Sequence, residues 1–118
     1  PCKTWSKRID ILKTQKENFL KNPETFLESV WTLVSYDMSA HPSSFTEETV
    51  CLQKVLKFSG TMRQEEITVL KERLKKMREE QKGNNDDRLN FKYMCVISSL
   101  EACQEVRGTP CVKMGSDL

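Results

Sequence analysis

Apolar residues recur at helical spacing along most of the chain. Trp5, Ile9, Leu12 and Phe19 predict a helix over about 4–20, with Thr4 as its N-cap and Lys7, Arg8, Lys13 and Lys16 among the apolar positions. Asn22-Pro23-Glu24 punctuates the chain. The segment Thr25 to Ala40 reads two ways. Phe26, Val30, Leu33 and Asp37 fit a helical repeat in part, whereas Trp31-Thr32-Leu33-Val34-Ser35-Tyr36 is rich in strand-favouring residues. It is either a second helix started by Asn22 and Pro23 or a crossover carrying a short strand.

His41-Pro42-Ser43-Ser44 reads as a loop. Thr46 followed by Glu47 and Glu48 is a helix start, with acids where the helix dipole favours them. Cys51, Val55, Phe58 and Met62 share one face of that helix, and Ser59-Gly60-Thr61 breaks it. Ile67, Leu70, Leu74 and Met77 form the clearest amphipathic pattern, predicting a helix over about 62–82. Its opposite face carries Lys71, Arg73, Lys75, Lys76 and Arg78, partly relieved by a Glu72–Lys76 pair at i, i+4. Lys82-Gly83-Asn84-Asn85-Asp86 is a turn with Gly83 as C-cap. Beyond it Leu89, Phe91, Tyr93 and Cys95 alternate as a strand would. Leu89, Tyr93, Val96, Leu100 and Cys103 instead make a helical stripe, and its persistence over four turns favours a helix over about 88–107. The tail reads as irregular, and there are no repeats or linkers.

At 118 residues the chain is expected to form one domain, and no apolar run approaches a membrane span. A net charge of +2 does not call for a nucleic-acid partner. The five cysteines, Cys2, Cys51, Cys95, Cys103 and Cys111, change the picture most. Their spread suits a secreted domain in an oxidising compartment, with two disulfides and one odd thiol, in a mature form beginning soon after signal cleavage. Five reduced, buried cysteines of a cytosolic protein are the alternative. Zinc is disfavoured because no Cys-x-x-Cys pair exists and the lone histidine, His41, sits in a loop. No phosphate loop, nucleophile elbow or Asn-x-Ser/Thr site occurs, so neither an enzyme, nor a cofactor, nor N-glycosylation is expected.

Particular residues then carry a resemblance. Cys2-Lys3-Thr4 leads into an Ile/Leu-containing first helix, and Leu33-Val34-Ser35-Tyr36-Asp37-Met38-Ser39-Ala40 precedes a polar loop and Glu48-Thr49-Val50-Cys51. Val55-Leu56-Lys57-Phe58 and Val69-Leu70-Lys71-Glu72-Arg73-Leu74 come after them. Over about half its length, with small gaps, the chain resembles the interleukin-4/interleukin-13 family of short-chain helical cytokines, as a divergent relative from a non-mammalian vertebrate would. The resemblance implies an all-α, up-up-down-down four-helix bundle, with room for a short β pair in the crossovers. It implies bridges Cys2–Cys111 and Cys51–Cys95, leaving Cys103 as the odd thiol in the core. Closing a loop of about a hundred residues would contribute roughly 4–5 kcal/mol.

The resemblance further implies a monomeric, extracellular protein that brings together two type I cytokine receptor chains. Asp10 on the first helix, with Arg73 or Lys76 on the third, would make the high-affinity contact. Lys7, Arg8 and Lys92 would meet the second chain, though each charge taken singly fits an ordinary surface residue. One departure stands. Gln81 to Asp87 spans at most about 20 Å, short for a crossover beside helices near 30 Å long. Either the last helix is short or the topology differs. A rival reading is a small secreted carrier of hydrophobic ligands, similar to insect odorant-binding proteins, which requires a closed apolar cavity. A helical adaptor without bridges is a third.

Overall fold

The computed structural model describes residues 14–108 except Ser43, Lys82 and Asn84. Every regular element among them is helical. Residues 14–21 form the described part of α1. It is followed by α2 (Pro23–Ala40), α3 (Glu47–Ser59), α4 (Gln64–Glu80) and α5 (Asp87–Gly108). The part of the first predicted helix that holds Trp5, Ile9 and Leu12 lies outside the described residues.

The ambiguous second segment is one helix, with Pro23 in its first turn. A proline costs nothing there, because the first amides of a helix have no internal acceptor. The strand alternative fails because the buried positions are Phe26, Leu27, Val30, Trp31 and Val34, a stripe repeating every three to four residues. Leu33, assigned to the apolar face from sequence, is instead 37% exposed. No β pair occurs among the described residues.

Local chemistry explains the other helix ends. The Thr46 hydroxyl accepts from the Thr49 amide at 3.2 Å, the N-cap its position predicts. The Glu66 carboxylate accepts from the Arg63 amide at 2.8 Å and closes the start of α4. Asp86 does the same for α5, accepting from the Leu89 amide at 3.0 Å. Among the described residues between α4 and α5, the left-handed one is Asn85, at φ 52°, and not Gly83. Asparagine tolerates that conformation because its short polar side chain bonds locally. Gln81 caps α4, its amide donating back to the carbonyls of Met77 and Arg78.

The helices pack around one core that includes Phe26, Val30, Val34, Val55, Ile67, Leu70, Leu74, Tyr93, Val96 and Leu100. The rings of Phe19, Phe26 and Phe58 meet edge to face, with centroids 5.1 to 5.9 Å apart, tying α1, α2 and α3 together. Cys103 is buried in the same core.

Side-chain pairs give the helix directions. Gln64 meets Gln104, Lys75 meets Glu101 and Arg78 meets Asn90, so α4 and α5 run antiparallel. Glu47 meets Arg88 and Cys51 meets Ser99, so α3 and α5 run in the same sense. The up-up-down-down order is not displayed, because it would set α4 and α5 parallel. Residues 81–86 can reach only about 20 Å, too little to run back along the 17 residues of α4, about 25 Å. A short connection makes neighbouring antiparallel helices the accessible arrangement.

Candidate partner-binding surface

The residues expected to meet a partner fall into distinct settings. Lys7, Arg8 and Asp10 lie outside the described residues, as do Cys2 and Cys111. Lys76 is exposed on α4. Arg73, also on α4, points its guanidinium at the end of α1. It donates to the carbonyl of Leu20 and, at 3.1 Å, to that of Lys21. Those carbonyls belong to the last turn of a helix, where no internal amide remains to bond them and the dipole favours a cation. Arg73 therefore fastens α1 to α4. Arg73→Ala is expected to cost about 0.5–1.5 kcal/mol in denaturant unfolding, the range for such bonds on a surface. Lost partner binding with unchanged stability would instead make Arg73 a contact residue.

Lys92 belongs to a cluster that sequence reasoning missed. Arg88 forms a forked ion pair with Glu47 across α5 and α3, with one contact at 3.0 Å. The same guanidinium lies 5.6 Å from the Trp31 ring centroid and 5.4 Å from that of Phe91. The Lys92 ammonium approaches the Trp31 ring at 5.9 Å. Trp31 and Phe91 meet edge to face with centroids 6.0 Å apart. Hydrogen bonding from Arg88 holds the Glu47 carboxyl below its ordinary range, and that bond raises the Arg88 pKa in turn. Glu66 is likewise lowered, first by the Arg63 amide and further by Lys16. The contribution of these two carboxylates to stability is present above the ordinary carboxylate range and is lost as pH falls through the depressed values.

Nothing in the local sequence marks this cluster. Arg88 is 57 positions after Trp31 by numbering, and only the packing of α2 against α5 brings the two together. The single available signal was a tryptophan in a segment of uncertain type. On another face of α2, Tyr36 stands 73% exposed.

Between α3 and α5 lies an open apolar groove of about 360 Å³, lined by Leu52, Phe91, Met94, Cys95 and Ala102 with Glu48 and two serines. Cys95 and Cys51 are free thiols, so the bridge expected between them is not formed in this structure. They share a buried patch. The Ser99 hydroxyl lies 3.8 Å from the Cys51 sulfur and bonds the Cys95 carbonyl at 2.7 Å. Burial pushes the Cys51 thiol up to about 12 and raises that of Cys95 as well.

The consequence for the thiol form can be measured. A group whose folded pKa exceeds its unfolded value stabilises the fold below the unfolded pKa and loses that contribution as pH rises. For Cys51 the window runs from the ordinary thiol value of 9.0 to about 12. The reduced protein should lose stability across that alkaline range, and Cys51 should resist thiol reagents at about pH 8 until the protein unfolds. Rapid labelling of Cys51 in the folded state would contradict this.

Among the described residues no group of three or more His, Cys, Asp or Glu side chains is arranged to hold a metal ion. No described helix is long and apolar enough to cross a membrane. His41 is exposed at the end of α2, its amide donating to the Asp37 carbonyl. Comparison with protein-family models, with curated proteins and with solved structures returned no match, so the geometry and the sequence are what bear on function.

Proposed function

We propose that this chain is a secreted, extracellular signalling protein of the short-chain cytokine class, similar to the interleukin-4/interleukin-13 family. It would act as a monomer that brings two type I cytokine receptor chains together, without catalysis. The observation that carries this reading is where the chemistry sits. Among the described residues the interior is packed with apolar side chains from α1 to α5, while Arg88 and Lys92 lie over the Trp31 ring where α2 meets α5. Aromatic residues and arginine are the side chains that dominate protein–protein contacts.

The disulfide pairs Cys2–Cys111 and Cys51–Cys95 belong to this proposal, as does the pairing of Asp10 with a basic residue of α4 in the high-affinity contact. Lys76 is the better basic candidate because Arg73 is engaged with α1. Lys7, Arg8 and Lys92 remain the candidates for the second chain. The up-up-down-down path is not part of the proposal, since α4 and α5 run antiparallel.

The test is surface plasmon resonance of the oxidised protein against a panel of type I receptor ectodomains. Saturable binding that falls more than tenfold in Asp10→Ala supports the reading, tenfold being about 1.4 kcal/mol. Affinity that stays within twofold in that variant removes Asp10 from the contact, and no binding across the panel removes the class.

The other reading, a carrier of hydrophobic ligands, would have to use the α3/α5 groove, which is apolar but open where a carrier requires a closed cavity. Displacement of a bound fluorescent dye by lipids or small apolar odorants would support it.

A further inference from the structure

Every described residue lining the apolar groove comes from α3 or α5, and no third described element lies across it. Its two walls continue one helical turn beyond Leu52 and Ala102, where Leu56 and Val106 are exposed. Because α3 and α5 run in the same sense, both residues stand toward the end where α5 stops at Gly108. Met94, within the groove, is 46% exposed. A continuous apolar strip left open to water marks a place where something docks.

Size argues against a second copy of the chain. The groove holds about 360 Å³ and is lined by eight residues, whereas a stable protein interface engages roughly 20–30 residues a side. A short segment suits it better, and the chain supplies one at the mouth of the groove. Thr109-Pro110-Cys111-Val112-Lys113-Met114-Gly115-Ser116-Asp117-Leu118 follows directly on α5. Pro110 biases Thr109 out of the helical region, so the segment leaves the axis of α5 there.

Reach and pattern agree with this. Ala102 and Phe91 lie about 9 Å and 25 Å back along α5 from Gly108. Ten extended residues reach about 33 Å, enough to cover that stretch after a turn. Extended residues alternate sides, which puts Val112 and Met114 on one face and Cys111 and Lys113 on the other. Two apolar side chains then meet the groove while the one cation of the segment rides its rim, and the only charged residue of the lining is Glu48. The one acid, Asp117, reaches about 30 Å from Gly108 when extended, past Phe91.

We propose that residues 109–118 fold back at Gly108 and lay Val112 and Met114 in the α3/α5 groove of the same molecule. The segment covers Leu52, Met94 and Cys95 and closes the groove to small apolar ligands, which counts against the carrier. Cys111 is left facing outward, so the docking does not depend on a bridge to Cys2.

The experiment is NMR of the full chain with ¹³C-labelled alanine, valine, leucine and methionine methyls. Nuclear Overhauser contacts are expected from Met114 to Met94 and from Val112 to Leu52 or Ala102. No contact from Val112 or Met114 to the groove overturns the proposal. So do contacts that appear only between molecules in a mixture of labelled and unlabelled protein, the signature of a second copy's segment.

A second measurement follows oxidation of Met94 by dilute hydrogen peroxide, read by peptide mass spectrometry with Met38 on α2 as internal standard. In the double variant Val112→Asp, Met114→Asp, Met94 should oxidise about fivefold faster, the ratio given by a segment docked about four-fifths of the time. Equal rates in the two proteins overturn the proposal. No receptor enters either measurement, so its failure and the failure of the cytokine reading can be told apart.

Discussion

Replacing Phe26 with alanine is expected to destabilise the protein by about 3–5 kcal/mol, measured by denaturant unfolding. Phe26 is fully buried and meets both Phe19 and Phe58 edge to face, at 5.1 and 5.9 Å. Truncation removes the transfer energy of the ring and leaves a cavity that three helices line. The neighbours cannot collapse into it easily, because each is the anchor of a different element. Domains of this size have about 5–15 kcal/mol of stability in total, so the loss would take a large fraction. Tyr36→Ala on the same helix should change stability by less than about 0.5 kcal/mol, because that ring stands in solvent. Similar losses at the two positions would mean that α2 does not pack as the structure has it.

Reduction is expected to cost protein made in a secretory host about 4–5 kcal/mol if a Cys2–Cys111 bridge closes its long loop. The measurement is peptide mapping of protein from a eukaryotic secretory host without reductant, then unfolding with and without it. The second proposed bridge, Cys51–Cys95, would join two thiols that the structure holds unbonded in one buried patch beside Ser99. Its formation would abolish the alkaline loss of stability assigned to Cys51 in the thiol form. Mapping that shows both pairs supports secretion. Bridges among Cys51, Cys95, Cys103 and Cys111 alone would favour the carrier. Five free thiols, with no change on adding reductant, would end the secreted reading.

The helices were legible in the sequence to the degree that each carries its own periodic stripe and its own stop signals. Ile67, Leu70 and Leu74 predicted α4, and all three are buried. Thr46 predicted the start of α3 and caps it. Tyr93, Val96, Leu100 and Cys103 predicted α5 against a competing alternation, and all four are buried. The second segment was not legible in the same way. Val30, Trp31, Thr32 and Val34 favour strands as isolated residues, and packing against the other helices overrides that preference.

The candidate site was legible only in fragments. Lys92 was singled out as a surface charge, but its neighbours Trp31, Arg88 and Glu47 were not joined to it. Their positions, 31, 47, 88 and 92, come from three different helices. Arg73 was read as a contact for a partner because it sits on a basic face. That face is in part a set of bonds within the molecule, with Lys71 on Gln104, Lys75 near Glu101 and Arg78 on Asn90. A pattern of charges along one helix cannot tell a solvated face from one that meets a neighbour.

The sequence by itself determined the helical class, most helix boundaries and most of the apolar faces, because these depend on local backbone preference, capping chemistry and a repeat of about 3.6 residues. It also held the limit on topology, since residues 81–86 are too few for a long crossover. Only the tertiary structure decided the antiparallel course of α4 and α5, the burial of Trp31 without an acceptor for its N–H, and the use of Arg73 as a clasp. These are contacts between residues far apart in the chain, and their energies exist only once the helices have met.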